Sequence, residues 1–287
     1  MKHQATDLYK LVANQNNGNK KTEIIAITSG KGGVGKSNIS ANLAYTLSKF
    51  GYKTAVFDAD IGLANLDLIF GVKVHKNILH VLKGEAELKD IVIPVENGLY
   101  LIPGDSGDEV FSYINEHSVN KLISKGSFLE DIDFLIIDTG AGIGGITQKF
   151  LDASDMLLVV TMPDPSAITD AYATIKINAK EREQIFMILN MVKSKKEAEN
   201  VFFKMKQIAQ KNMPSLKLEM LGYIQASTSV SSATRGRTLF AKVDPSDYAS
   251  MQVSDIAKLI LQKKERKVLN NEQSGFGGFF QRLLKYL

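Results

Sequence analysis

No cysteine occurs among the 287 residues, which removes disulfide frameworks, thiolate metal sites and cysteine-held iron–sulfur clusters. Long apolar runs are missing as well. The longest, such as FLII at 134–137 and MLLVV at 156–160, fall far short of the roughly 20 residues that cross a bilayer. The N-terminus, MKHQATDLYKLVANQ, lacks the uninterrupted apolar segment of a secretory signal. Net charge is small too. Against 35 lysines and arginines stand 31 aspartates and glutamates, a balance of +4, which does not imply a strongly basic nucleic-acid binder. The expectation is a cytoplasmic protein, at most peripheral on the inner face of the membrane.

What charge there is lies at one end. From Lys258 onward, Lys258, Lys263, Lys264, Arg266, Lys267, Arg282 and Lys285 oppose Glu265 and Glu272, a local +5 that leaves the remainder near −1. The same end carries GFGGFFQRLLKYL, in which Phe276, Phe279, Phe280, Leu283, Leu284 and Leu287 recur at helical spacing as one apolar stripe. A stripe of this kind beside cations suits an anionic membrane surface, whereas a DNA-binding surface has no use for it. Docking of the stripe into a groove on its own domain is the other reading.

Between the ends, short β-rich runs alternate with helical patterns. EIIAIT, KTAVFD, LYLIP, FLIID, MLLVVT, QIFMILN and EMLGYI read as strands, and residues 37–50, 166–180, 195–211 and 246–267 as helices. Four to six consecutive apolar residues per strand fit a parallel sheet covered on both faces. The reading is an α/β chain with a single doubly wound, mostly parallel sheet over 23–268. Before it, residues 1–22 form a short helix and the polar linker NQNNGNKK; after it, 269–287 form a hinge and the tail helix.

The first strand runs into GKGGVGKS, Gly30 to Ser37, which satisfies the phosphate-loop pattern in its strand-loop-helix setting. Gly30, Gly32, Gly33 and Gly35, with Val34 between them, let backbone N–H groups wrap an anion. Lys36 neutralises phosphates, Ser37 offers a hydroxyl to Mg²⁺, and Asn38 continues the helix start. Asp138, at a strand end facing the loop, is placed to hold a metal-bound water. Asp58 and Asp60 follow a strand and share a face through their two-residue spacing; a capping or Mg²⁺-shell role without catalysis is the plainer alternative for each. The stretch LNMVK, Asn190 to Lys193, lacks the aspartate that a guanine site uses, so ATP/ADP is favoured over guanine nucleotides.

The motif KGGVGKS resembles the deviant Walker A motif of the MinD/ParA ATPases. Three further blocks agree: DADIGLANLD (Asp58 to Asp67) is similar to the switch I segment, DTGAGI (Asp138 to Ile143) to the switch II pattern DxPAGI with Gly140 in place of proline, and PDPSAITDAYATIK to PExTSITDAY. The resemblance implies an ATP-dependent homodimer in which Lys31 acts across the subunit interface; the alternative is a solvent-exposed lysine. It also implies that Asp60 orients the attacking water with Asp58 in support, that Ser37, Asp138 and Asp60 serve Mg²⁺, and that Asn190 contacts adenine. Gln225 and Ser227 depart from the family's IPYD-like stretch, which leaves the far wall of the base pocket open.

The N-terminal HQATDLYKLV is similar to the DQAxxLRxL activator motif of the flagellar-number regulators FlhG (FleN/YlxH), matching at Gln4, Ala5, Leu8 and Leu11, with His3 and Tyr9 departing. That resemblance implies stimulation of an FlhF-like GTPase through Gln4, contact with flagellar basal-body and C-ring components, an anionic membrane surface as support, and no specific nucleic acid. A short helix packed on its own domain is the plainer reading of the segment. MinD-type division-site positioning and ParA-type DNA partition remain the alternative functions.

Overall fold

Consecutive apolar residues in a strand point to opposite faces, and the sheet uses both. In β1 (Glu23–Ser29), where all seven residues are buried, Ile25 and Ile27 join one core cluster while Ala26 joins another on the opposite face. β6 (Met156–Thr161) repeats this, with Met156, Leu158 and Val160 on the first face and Leu157 and Val159 on the second. The other strands are β2 (Thr54–Ala59), β3 (Ile93–Glu96), β4 (Leu99–Ile102), β5 (Phe134–Ala141), β7 (Gln184–Val192) and β8 (Lys217–Gln225). They make one sheet in the order β3-β4-β2-β5-β1-β6-β7-β8, parallel except for β3.

The computed structural model describes residues 22–60, 65–105, 113, 131–142, 144–269 and 282–283. Gln4, Ala5, Leu8, Phe276, Phe279, Phe280, Leu284 and Leu287 lie outside them. Within them, α1 (Lys36–Lys49), α6 (Pro165–Asn178), α7 (Lys195–Asn212) and α10 (Tyr248–Leu269) match the four expected helices. The shorter ones are α2 (Leu66–Phe70), α3 (Ile78–Lys83), α4 (Leu88–Ile91), α5 (Gly145–Ala153), α8 (Thr228–Arg235) and α9 (Phe240–Val243). α1 and α10 cover one face with Ile39, Leu43, Leu47, Val253, Ile256 and Ile260; α6 and α7 cover the other with Ala171, Ile175, Met205 and Ala209. Among the described residues no helix is long and apolar enough to cross a membrane.

All seven expected strands are present, and β3 is the addition. Its four residues include Pro94, and it pairs antiparallel to β4 at the sheet edge. Proline lacks the N–H of an interior strand but is tolerated at an edge, so a proline-containing run of four carries little strand signal.

At the opposite edge Glu219 links three elements: it accepts from Lys217 and Gln184 in β8 and β7 and from Lys263 in α10. Burial pushes its carboxyl up, but these donors outweigh that and hold it at about 2. A carboxyl depressed below its ordinary 4.5 stabilises the fold above that pH and loses the contribution as pH falls towards 2. Replacing Glu219 by glutamine is therefore expected to cost about 1 kcal/mol near pH 7, with the difference from the parent shrinking between pH 4.5 and 2 in urea denaturation.

Candidate nucleotide-binding site

Between β1 and α1 the chain turns through residues 30–35. Gly35 immediately precedes the helix at φ +88°, and a Cβ there would lie 2.3 Å from Asn190 Nδ2, so only glycine fits. α1 starts without a side-chain cap and without an acidic residue in its first turn. Its first N–H groups and the positive end of its dipole are thereby left for an anion.

The helix's first residue reaches the sheet. Lys36 Nζ lies 3.2 Å from Asp138 Oδ1 in the second half of β5 and 3.6 Å from Asp60 Oδ2 just beyond β2. Parallel pairing sets Asp58 beside Asp138 in register. Ser40, one turn after Lys36, donates to Asp138 Oδ1 at 2.8 Å. Asp138 is fully buried, and its Oδ2 has no hydrogen-bond partner. A buried carboxylate oxygen without a donor is costly, and a cation or water bound beside it would offset that cost. With the Ser37 hydroxyl and Asp60 it makes a donor set that fits Mg²⁺, which takes few protein ligands and keeps waters and phosphate oxygens for the rest. Among the described residues no cluster of three or more His, Asp or Glu is built to hold a metal by itself.

Asp58 is used differently. Its carboxylate accepts from the backbone N–H groups of Asn65 at 3.0 Å, Leu66 at 3.1 Å and Asp60 at 3.3 Å, bracing the segment on both sides of 61–64. Burial, with a smaller push from the charge of Asp138, raises it to about 7 despite those donors. Burial also raises Asp60, against the pull of Lys36.

A cleft of about 1010 Å³ opens over the loop. Gly32, Gly33, Gly35, Lys36, Ser37 and Asn38 line its floor, with Asp60 and Asn65 on one wall and Asn190 and Met191 on the other. Val34 is buried in the core beneath, and Gly30 packs against the backbone of Asp170 in α6. Asn190 ties its wall to the phosphate loop: its Nδ2 donates to Val34 O at 2.8 Å and its Oδ1 accepts from Met191 N at 2.9 Å. Lys31 turns to α6, its Nζ 2.5 Å from Ser166 Oγ and 3.4 Å from Asp164 Oδ1. Asp164 is the N-cap of that helix; hydrogen bonds from Ser166, Ala167 and Lys31 hold it at about 2.

Gln225 and Ser227 are not the far wall. Gln225 bonds Gln252 and Lys193 O, while Ser227 caps α8 and donates to Asp247. Ile224, Val230, Thr234, Arg237 and Phe240 line that side. Ser40, Asp164 and Ser166 went unassigned in the sequence: Ser40 is signalled by its four-residue spacing from Lys36, but nothing local links Ser166 to a lysine 135 positions earlier.

Two residues of the tail are described. Leu283, expected on the membrane-facing stripe, is 2% exposed in a core cluster with Phe150 and Ala153. Arg282 donates to Ala153 O and to Asp155 Oδ1, each at 2.8 Å. In this structure both rest on the end of α5.

A profile of the ParA family, described as NUBPL iron-transfer P-loop NTPase, matches residues 20–261. The chain belongs to the ParA family of P-loop NTPases. Within that family it is 53% identical to the flagellum site-determining protein YlxH of Helicobacter pylori, over 95% of this chain and 92% of that one. It is 32% identical to the antiactivator FleN of Pseudomonas aeruginosa, over 83% and 86%. Among solved structures, the MinD cell division protein of Aquifex aeolicus shares 26% identity and a TM-score of 0.66, covering 88% of this chain and 99% of its own. MinD of Pyrococcus horikoshii, solved with Mg-ADP, has the same fold at a TM-score of 0.69 and 24% identity, over 86% and 98%. The iron-transfer chemistry in the family description has no thiolate to work with in this cysteine-free chain.

Gly35→Ala tests the loop geometry. The left-handed φ and the clash with Asn190 are expected to cost about 1–3 kcal/mol of stability and at least about tenfold in nucleoside triphosphate affinity, measured by urea denaturation and calorimetry. An unchanged midpoint with full affinity would mean that Asn190 does not close this side of the loop.

Proposed function

We propose that this chain is an ATP-hydrolysing dimerisation switch that sits on the membrane as an ATP dimer and sets the number and placement of flagella, acting on an FlhF-like GTPase. The observation that carries the flagellar reading is the 53% identity to a flagellum site-determining protein across 95% of the chain. The site geometry supports the switch. Lys36 and the open N-terminus of α1 take the phosphates, Ser37 and the unpaired oxygen of Asp138 serve Mg²⁺, and Asp60 at the cleft wall orients the attacking water. Mg²⁺, when bound, neutralises charge on the phosphate oxygens. Asp58 holds the backbone around Asp60 rather than meeting the nucleotide.

Lys31 supplies the cross-subunit cation. Its side chain is 42% exposed, so it can exchange Ser166 and Asp164 for a partner's phosphates at little cost in burial. Asn190 joins the adenine wall to the phosphate loop. The basic, apolar C-terminal region supplies the membrane anchor. Contacts of Arg282 and Leu283 with α5 favour a tail that rests on its own domain in the monomer. One such helix is too short to be stable alone, whereas two on one dimer bind together at raised effective concentration.

With ATP and Mg²⁺, the parent chain is expected to form dimers, Lys36→Ala to stay monomeric, and Asp60→Ala to accumulate as a long-lived ATP dimer in size and mass measurements. Monomeric Asp60→Ala under those conditions contradicts the switch. Flotation with anionic vesicles should capture the ATP form, and a chain ending at Gln273 should lose capture at least tenfold. DNA binding retained by that shortened chain, without vesicle binding by the full chain, would instead favour DNA partition. Stimulation of an FlhF-like GTPase that survives Gln4→Ala would remove Gln4 from the activator role.

A further inference from the structure

Glycine at 140 stands where the resembling switch II pattern has proline, and the backbone does not demand it. The neighbouring Gly142 has φ +94°, which disfavours any side chain, but Gly140 has no positive φ. What a side chain at 140 would meet is Asp60. A Cβ there would lie 3.0 Å from Asp60 Oδ1 and 3.9 Å from its Cγ, with Thr147 Oγ1 next at 3.8 Å. The 3.0 Å contact is tighter than ordinary carbon–oxygen packing, so something must give. Asp60 can: it is not locked in the core, its side chain being 19% exposed beside the cleft.

On its other side the same carboxylate faces Lys36, 3.6 Å from Oδ2 to Nζ. Asp60 therefore stands between a cation and a missing methyl group. We infer that Gly140 is a positioning residue for Asp60: the absent Cβ sets how deeply the carboxylate sits beside Lys36, and so where it holds the attacking water. The inference rests on the water-orienting reading of Asp60 given above. A carboxylate displaced by a few tenths of an ångström still permits nucleotide binding, since the phosphate loop is untouched, but it misplaces the reacting geometry, and misplacements approaching 1 Å cost on the order of a hundredfold. The effect belongs to turnover rather than to affinity.

Gly144 provides the control. It lies four residues further on, immediately before α5, it too has no positive φ, and a Cβ added there would meet nothing within 4 Å. In the full-length protein, Gly140→Ala is expected to lower kcat for ATP at least about tenfold with KM and ADP affinity held within about twofold, and to prolong the ATP dimer in size-exclusion chromatography. Gly144→Ala should keep the parent's kcat within about twofold. The contact itself is read by a thermal-stability cycle: Gly140→Ala should lower Tm in the parent and leave it unchanged in an Asp60→Ala background, where the methyl group has room.

Parent-like turnover in Gly140→Ala, when Asp60→Ala is inactive, overturns the inference alone. Loss of ADP binding in Gly140→Ala, or an equal Tm loss in both backgrounds, overturns it as well, since the effect would then not pass through Asp60. Parent-like turnover in Asp60→Ala overturns the reading of Asp60 and the inference with it.

Discussion

A lysine buried between carboxylates is the interaction on which the site depends. Lys36 is 7% exposed and Asp138 not at all, and a charge moved so far from water costs several kcal/mol unless it is paired. The pairing fixes three parts of the chain against one another: the start of α1, the second half of β5 and the residue after β2. The pairing is incomplete by design of the chain. Asp58, Asp60 and Asp138 outnumber the single cation, Asp58 relieves part of the excess by being raised to about 7, and one oxygen of Asp138 has no partner. A surplus of carboxylate oxygen next to an open helix N-terminus favours a divalent cation together with an anion, which is the composition of a metal–nucleotide pair.

The sheet makes this arrangement possible by register. β2 and β5 are neighbours whose C-terminal ends align, so Asp58 and Asp138 arrive at the same level although eighty residues separate them. In open parallel sheets ligands gather at the carboxyl ends of the strands, and here the phosphate loop, Asp58–Asp60, Asp138–Gly142 and Asn190 all leave strands at that end. α5 begins just after β5 and Gly142, and the residues that follow it, with its own Ala153, meet Arg282 and Leu283. The C-terminal contact thus lies at one end of a nine-residue helix whose first turn lines the cleft through Thr147.

Much of this was legible in the sequence because the relevant signals are local. A continuous apolar run names a buried strand, and the order of glycines, lysine and serine names a phosphate loop, since both are set by a few adjacent residues. β3 was not legible because Pro94 in a run of four erases the strand signal. The attachment of Lys31 to α6 was not legible because its partners, Asp164 and Ser166, are brought to it only by the pairing of β1 with β6. The place of Gln225 and Ser227 stayed open in the sequence for a related reason. A motif position says which residue replaces another, not whether the replacement still faces the cleft, and here both side chains are consumed by Gln252, Lys193 and the cap of α8.

Backbone strain adds an independent indication of where the site lies. Among the described residues, two other than glycine have positive φ, Met191 at 56° and Arg237 at 51°. Both line the same cleft. Side chains in this conformation cost on the order of 1 kcal/mol or more, so each must be held there by its surroundings. Met191 N donates to Asn190 Oδ1 at 2.9 Å, and Arg237 N donates to Thr234 O at 3.2 Å. Those bonds hold a thioether and a guanidinium in the cleft lining, one apolar and polarisable, the other planar and cationic. Both stack well on a flat aromatic ring. The positive-φ strain outside glycine is thereby confined, among the described residues, to the lining of the cleft that the phosphate loop opens into.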